Sequence, residues 1–305
     1  MKTIPVFYSD AQVHDAASFS KSPLKPGLLA RRIALDPAFR ITNQGVAAVS
    51  PARLLQVHDA DHLGGVLSAK SIDGFGNRSI KSITAIRHTV GNFLAAANWA
   101  ITDGANLGVV WSLTSGFHHA LHDSCGGFCT FDALTLSAFE MQKFLGLKTL
   151  IVDEDAHYGD GCEDIIKVVG MGEYCQYLQS RNTHGKASEV SLTKFATELG
   201  LKLKEFEPDV IFYQAGADNW IGDPLGGALS LDQLYIRDLI VFSTARRHGI
   251  PVVCNLAGGY AKDYDHTLAI HMNTGAAMKN IYLEIEVDAE FLASAIESEY
   301  ASLSS

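Results

Sequence analysis

Residues 149–161 read TLIVDEDAHYGDG: four residues, Thr149, Leu150, Ile151 and Val152, form an apolar, β-branched run that breaks into a loop carrying Asp153, Asp155, His157 and Asp160. A short continuous apolar run bounded by turn residues is the pattern of a strand covered on both faces. The same pattern recurs at residues 4–8, 107–111, 210–213 and 252–254. Helical patterns lie between these runs. Residues 82–102 carry apolar positions three and four apart, with Gly104 beyond the end as a C-cap. Residues 231–247 follow Ser230, and Gln233 stands three positions after it, a capping-box signature. Ser50-Pro51 opens another helix, with proline at the position that tolerates it. Strand and helix alternating in this way predict an α/β fold, a parallel β-sheet with helices on both faces. No linker, internal repeat or charge block interrupts residues 1–305, so a single domain is expected.

Composition narrows the function classes. Of 305 residues, 47% are hydrophobic, enough for a large core, which excludes a disordered chain. The 24 Lys and Arg against 34 Asp and Glu leave a net charge of −10, with no basic run to neutralise phosphates, so nucleic acid is not an expected partner. The acidic balance weakly favours a cationic substrate or partner. No apolar run approaches the ~18 residues of a membrane span, and the opening Met1-Lys2-Thr3-Ile4-Pro5 leads into no leader-type cleavage pattern. The five cysteines, Cys125, Cys129, Cys162, Cys175 and Cys254, are odd in number and scattered, which points to a reducing, cytoplasmic setting.

Ligand sites of open parallel sheets lie beyond the carboxyl ends of the strands, so the residues after each strand matter most. Four strands are followed by polar, glycine-rich loops. One carries Gly116, Phe117, His118 and His119 and continues to Gly126-Gly127-Phe128-Cys129; the second is the Asp153 to Gly161 loop. The third holds Gly216, Asp218 and Asp223-Pro224-Leu225-Gly226-Gly227, and the last is Gly258-Gly259-Tyr260. In an extended segment residues two apart face the same way, so Asp153, Asp155 and His157 can project toward one point, with Asp218 as a further ligand. A solvated acidic turn or a calcium loop is the alternative reading. The His118-His119 pair is either hydrogen-bonded packing or a proton acceptor and donor, with Asp153 and Asp160 available to fix the tautomers. Tyr260 is either a core aromatic or a phenol donor to an oxyanion, with Gly258 and Gly259 admitting a ligand close to the backbone.

Taken together, and in this order, these segments resemble the zinc-dependent histone deacetylase family, which includes bacterial deacetylases and acetylpolyamine amidohydrolases. The Gly126-Gly127-Phe128 and Asp223-Pro224-Leu225-Gly226-Gly227 runs look most like its short, class IV-like members. The resemblance implies the arginase-deacetylase fold and one zinc ion per chain, held by Asp155, His157 and Asp218. It implies His119 as general base and then acid, held by Asp160, and His118 paired with Asp153. Tyr260 would bind the substrate carbonyl. Phe128 would line an acyl tunnel, the Gly127 carbonyl would accept from the substrate amide, and Leu225, Gly258 and Gly259 would flank the substrate. Potassium would bind near Asp153, Asp155 and the His157 carbonyl. The implied substrate is an acylated lysine in a protein or peptide, or a small acylated amine such as an acetylpolyamine; acyl-chain length and oligomeric state stay open.

The sequence departs from the family at Tyr158, where many members carry a second histidine, and in residues 14–27, where the usual His-Pro element is missing. Residues 181–188 are short and lack a second aromatic tunnel wall. Two rivals remain: a silent acyl-lysine-binding module, and a binuclear manganese ureohydrolase, against which the one-histidine ligand set argues. Weaker signals are His58 and His62, four apart on an expected helix, and Cys125 with Cys129 as a redox pair; packing roles are favoured for both. Phe291, Leu292 and Ile296 are spaced as an amphipathic helix in an acidic C-terminal stretch.

Overall fold

The computed structural model describes residues 2–16, 18, 20–102 and 107–285. Gly104 and the Phe291, Leu292 and Ile296 pattern lie outside the described residues. Among the described residues seven strands form one sheet: β1 (Ile4–Phe7), β2 (Phe39–Thr42), β3 (Val109–Ser112), β4 (Thr149–Asp153), β5 (Cys175–Leu178), β6 (Val210–Gln214) and β7 (Val252–Asn255). Their order across the sheet is β2-β1-β3-β7-β6-β4-β5, and every pairing is parallel. The α-helices among the described residues are α1 (Lys25–Ile33), α2 (Pro51–Leu54), α3 (Ala60–Leu67), α4 (Ile80–Ile101), α5 (Ala133–Leu145), α6 (Asp160–Val169), α7 (Leu192–Phe206), α8 (Leu231–His248) and α9 (Tyr264–Met278).

The period of two along each strand divides the core into two layers. Val109, Trp111, Leu150, Val152, Ile211, Tyr213, Val252 and Cys254 face a cluster built with residues of α1, α7, α8 and α9. Their alternating neighbours Val110, Ile151, Phe212 and Val253 face the other cluster, with residues of α3, α4, α5 and α6. Both faces are therefore covered, which is why these strands read as unbroken apolar runs.

The five expected strands are present, within two residues of the expected ends. The two without a sequence signal, β2 and β5, are the edges of the sheet. An edge strand is only partly covered, so Arg40 and Ile41 are exposed and Gln176 and Tyr177 half-buried, and no continuous apolar run forms. Helix α8 has the expected reciprocal cap: Gln233 N donates to Ser230 Oγ and Ser230 N to Gln233 Oε1. Helix α4 starts two residues earlier than expected because Ser79 caps it. The helix opened by Ser50-Pro51 ends after four residues, and Asp59 caps a separate α3. His58 and His62 therefore do not share a helix. His58 Nδ1 lies 2.9 Å from Leu121 O and its Nε2 accepts from Asp132 N at 3.0 Å, a packing arrangement.

Candidate active site

The loops after β3, β4, β6 and β7 meet at the carboxyl edge of the sheet. Asp155, His157 and Asp218 each offer a ligand atom there, all within 4.8 Å of one another, and form a potential metal cluster among the described residues. The loop after β4 is shaped by its own carboxylates: Asp155 N donates to Asp153 Oδ1 and His157 N to Asp155 Oδ1, both at 3.0 Å. That curl corrects the period-two reading of this segment. Asp153 ends the strand and turns away from the ligand group, and its Oδ2 accepts from Tyr177 Oη, Gln214 Nε2 and His118 Nδ1 at 2.8 to 2.9 Å.

The donor set fits a divalent cation. The Asp155 and Asp218 carboxylates are buried together, and like charges excluded from water are costly unless a cation joins them. Burial and the Asp155 charge push the Asp218 carboxyl up to about 7. His157 Nδ1 lies 3.1 Å from both carboxylates, which hold the pKa of the ring up to about 11; a metal ion would take the place of that proton. The other nitrogen, Nε2, is 3.1 Å from Leu225 O. A metal-binding histidine commonly donates its far N–H to a carbonyl in this manner, leaving the near nitrogen for the ion. Gly258 N donates to Asp155 Oδ2 at 2.7 Å, and a Cβ at this position would lie 2.2 Å from Asp218 Oδ2. Only glycine lets the backbone approach so closely.

Two histidine–carboxylate pairs adjoin this group. His118 is buried, and its Nδ1 lies 2.8 Å from Asp153 Oδ2. Burial opposes charging that ring, but Asp153, Asp155 and Asp218 outweigh it and raise its pKa to about 10. His119 Nδ1 lies 2.6 Å from Asp160 Oδ1, at the first turn of α6. Burial and the neighbouring His118 lower the His119 pKa, against the pull of Asp160. The two rings are 4.1 Å apart between centroids, and His119 is 6.1 Å from His157.

The aromatic wall is formed by Phe128 and Tyr260, 5.5 Å apart between ring centroids, with Phe75 stacked behind Phe128 at 5.8 Å. Tyr260 is also 6.4 Å from His157, and burial among Asp155, Asp218 and Asp223 raises its phenol well above the ordinary value. Gly127 and Phe128 both have positive φ, +53° and +63°, and a Cβ on Gly127 would meet His119 Cδ2 at 2.5 Å. The Gly127 carbonyl accepts from Cys129 Sγ at 3.4 Å. Leu225 has an exposed side chain. Gly259, at φ +137°, packs against Thr267. All five cysteines are free, so Cys125 and Cys129 form no disulfide. Tyr158 is exposed and bonds Glu163.

Sequence reasoning missed several residues that hold the site. Lys25, fully buried at the start of α1, donates from Nζ to Ala257 O and Gly258 O at 2.5 and 2.9 Å. Burial lowers its pKa to about 8, while Asp218, Asp155 and Asp223 act to keep it charged. Asp223 Oδ2 accepts from Tyr260 N at 2.7 Å and Oδ1 from Leu225 N at 3.0 Å, tying two loops together. Tyr177 and Gln214 fix Asp153. No local pattern marks Lys25, Tyr177 or Gln214, while Asp223 lies in the glycine-rich loop after β6.

A family model described as the histone deacetylase domain matches residues 28–171 and 170–275, so the chain belongs to that family. An uncharacterized protein of Picosynechococcus sp. is 30% identical over 209 residues, covering 63% of this chain and 68% of that protein. Histone deacetylase 2 of Arabidopsis thaliana is 29% identical over 248 residues, 71% of this chain and 62% of the relative. The acetoin utilization protein AcuC of Bacillus subtilis is 29% identical over 166 residues, 45% of this chain and 41% of AcuC. The fold and the family agree with the arginase-deacetylase expectation, and no described helix is long and apolar enough to cross a membrane.

Proposed function

We propose that this chain works as one catalytic domain, a zinc-dependent amidohydrolase that removes an acyl group, acetyl in the first instance, from an N-acylated amine such as acyl-lysine. The observation that carries this reading is the convergence of the Asp155/His157/Asp218 donor set (both carboxylates buried, the imidazole half-buried) with two histidine–carboxylate pairs and Tyr260. Free cysteines support a reducing, cytoplasmic setting.

A zinc ion held by Asp155, His157 and Asp218 would polarise the amide carbonyl and lower the pKa of the attacking water. His119 donates Nδ1–H to Asp160, which leaves Nε2 as the acceptor for the water proton. The lowered His119 pKa keeps the ring neutral for that step. His118, paired with Asp153, would place positive charge beside the developing oxyanion when its ring is protonated. The Tyr260 phenol stays protonated and donates to the carbonyl oxygen as charge builds there. His119 then returns the proton to the departing nitrogen, so amide and water become carboxylate and amine. Phe128 shapes the acyl channel, while the Gly127 carbonyl orients the substrate amide, with Leu225, Gly258 and Gly259 along the walls.

The test is hydrolysis of an acetyl-lysine peptide, an acetylated polyamine and a long-chain acyl-lysine peptide by zinc-loaded protein. Turnover of one of them that falls roughly a hundredfold to a thousandfold in Tyr260→Phe is expected, as for loss of an oxyanion donor. Preference for the polyamine would move the substrate class to small amines. No turnover of any, with one zinc bound per chain, would favour the silent binding module.

A further inference from the structure

The resemblance places a potassium ion on oxygens of Asp153, Asp155 and His157. In this chain those oxygens are already engaged by the protein's own donors. One nitrogen, Gln179 Nε2, lies 2.9 Å from Asp155 O and 2.8 Å from His157 O, bridging the two carbonyls of the ligand loop. His184 Nε2 lies 2.6 Å from the same Asp155 O, and so uses its second acceptor position. The His184 ring is itself fixed, with Nδ1 2.6 Å from Ser180 O and 2.9 Å from Thr183 Oγ1. Both Asp153 carboxylate oxygens are engaged as well: Oδ1 accepts from Asp155 N, and Oδ2 accepts from three donors. Gln179 reaches this place because β5 pairs with β4 in register, Val152 beside Leu178, which sets the next residue against the end of β4.

A cation at bonding distance from the Asp155 and His157 carbonyls would compete with the Gln179 nitrogen for the same lone pairs. We propose that Gln179, backed by His184, braces the ligand loop in place of a monovalent cation, so that metal binding and catalysis by this chain do not require potassium. Gln179 is thus a positioning residue: it fixes the backbone from which Asp155 and His157 project, without touching the substrate. The proposal rests on the reading of Asp155, His157 and Asp218 as metal ligands.

The experiment measures zinc affinity by chelator competition, with tetramethylammonium or potassium as the monovalent cation, and thallium(I) binding by thallium NMR on the full chain. These readouts need no substrate, so they stand if the proposed reaction fails; absence of zinc binding itself would instead sink the ligand reading. Wild type is expected to bind zinc equally in both salts and to bind no thallium. Gln179→Ala is expected to lose zinc affinity about tenfold in tetramethylammonium, as for removal of a group supporting a metal ligand, and to regain it in potassium. Gln179→Glu, close in shape, turns the donor into an anion facing two carbonyls and is expected to bind thallium; it serves if the alanine variant does not fold. Thallium binding by wild type, or potassium-dependent zinc affinity in wild type, would overturn the proposal whatever the variants do. Variants that match wild type in both salts would overturn it as well.

Discussion

His118 and His119 are adjacent in the chain, each bonds a carboxylate through Nδ1, and their rings are 4.1 Å apart, yet they titrate in opposite directions. The inner ring is 4% exposed and sees Asp153, with Asp155 and Asp218 beyond. Tyr177 and Gln214 hold Asp153 in place beside His118, and the surrounding anions raise the pKa of that ring to about 10. The outer pair is more open, with Asp160 about half exposed to water, which screens its charge. There burial and the His118 charge prevail and lower the His119 pKa. His58 supplies the control. It is buried as deeply as His118, its ring nitrogens meet backbone groups and no carboxylate, and burial lowers it to about 4. Burial alone discharges a histidine, and a fixed anion reverses the sign.

The comparison can be broken most sharply at His119. His119→Ala removes the proposed proton carrier and is expected to lower kcat roughly a thousandfold while zinc stoichiometry, read by metal analysis, is unchanged. The control makes a stability prediction next in size. The His58 pKa is lowered on folding, so its contribution is fully present above the unfolded value of 6.5 and is lost as pH falls through about 4. Over that window the chain is expected to lose roughly 3 kcal/mol through this group, and His58→Gln to flatten the loss, measured by denaturant unfolding at stepped pH. Asp153→Asn tests the inner pair: it discharges His118 and weakens the acceptor that holds Asp155 N, and through that loss of support for a proposed ligand zinc affinity in a chelator competition is expected to fall about tenfold to a hundredfold. The smallest effect belongs to Asp160, the carboxylate of the outer pair. His119 must be unprotonated to act as base, so kcat/KM is expected to fall with acid along a limb below the ordinary 6.5. Asp160 acts to raise that pKa, so Asp160→Asn should move the limb to still lower pH and reduce the plateau rate, read from a pH–rate profile.

Much of this was legible in the chain. Central strands covered on both faces must be apolar throughout, so β3, β4, β6 and β7 announce themselves, and with them the loops that carry His118, His119, Asp155, His157, Asp218 and Tyr260. The edge strands β2 and β5 do not, because an edge is half wet and tolerates polar residues. Missing β5 had a consequence at the site, since Tyr177 and Gln179 follow from its pairing with β4.

What the sequence determined by itself is the set of local patterns: apolar strands, the Ser230–Gln233 capping box, and the residue types after each strand, which are carboxylates, imidazoles and a phenol. The tertiary structure decided which of them face one another. Asp153 is turned to His118 by the curl of its own loop, apart from Asp155, His157 and Asp218. Lys25 reaches the backbone of Ala257 and Gly258 more than two hundred positions away. Gln179 occupies the carbonyl pair at which the family resemblance places potassium. A hydrogen bond depends on where two groups lie in space, and for partners so far apart in the chain only the packed sheet and its helices set that.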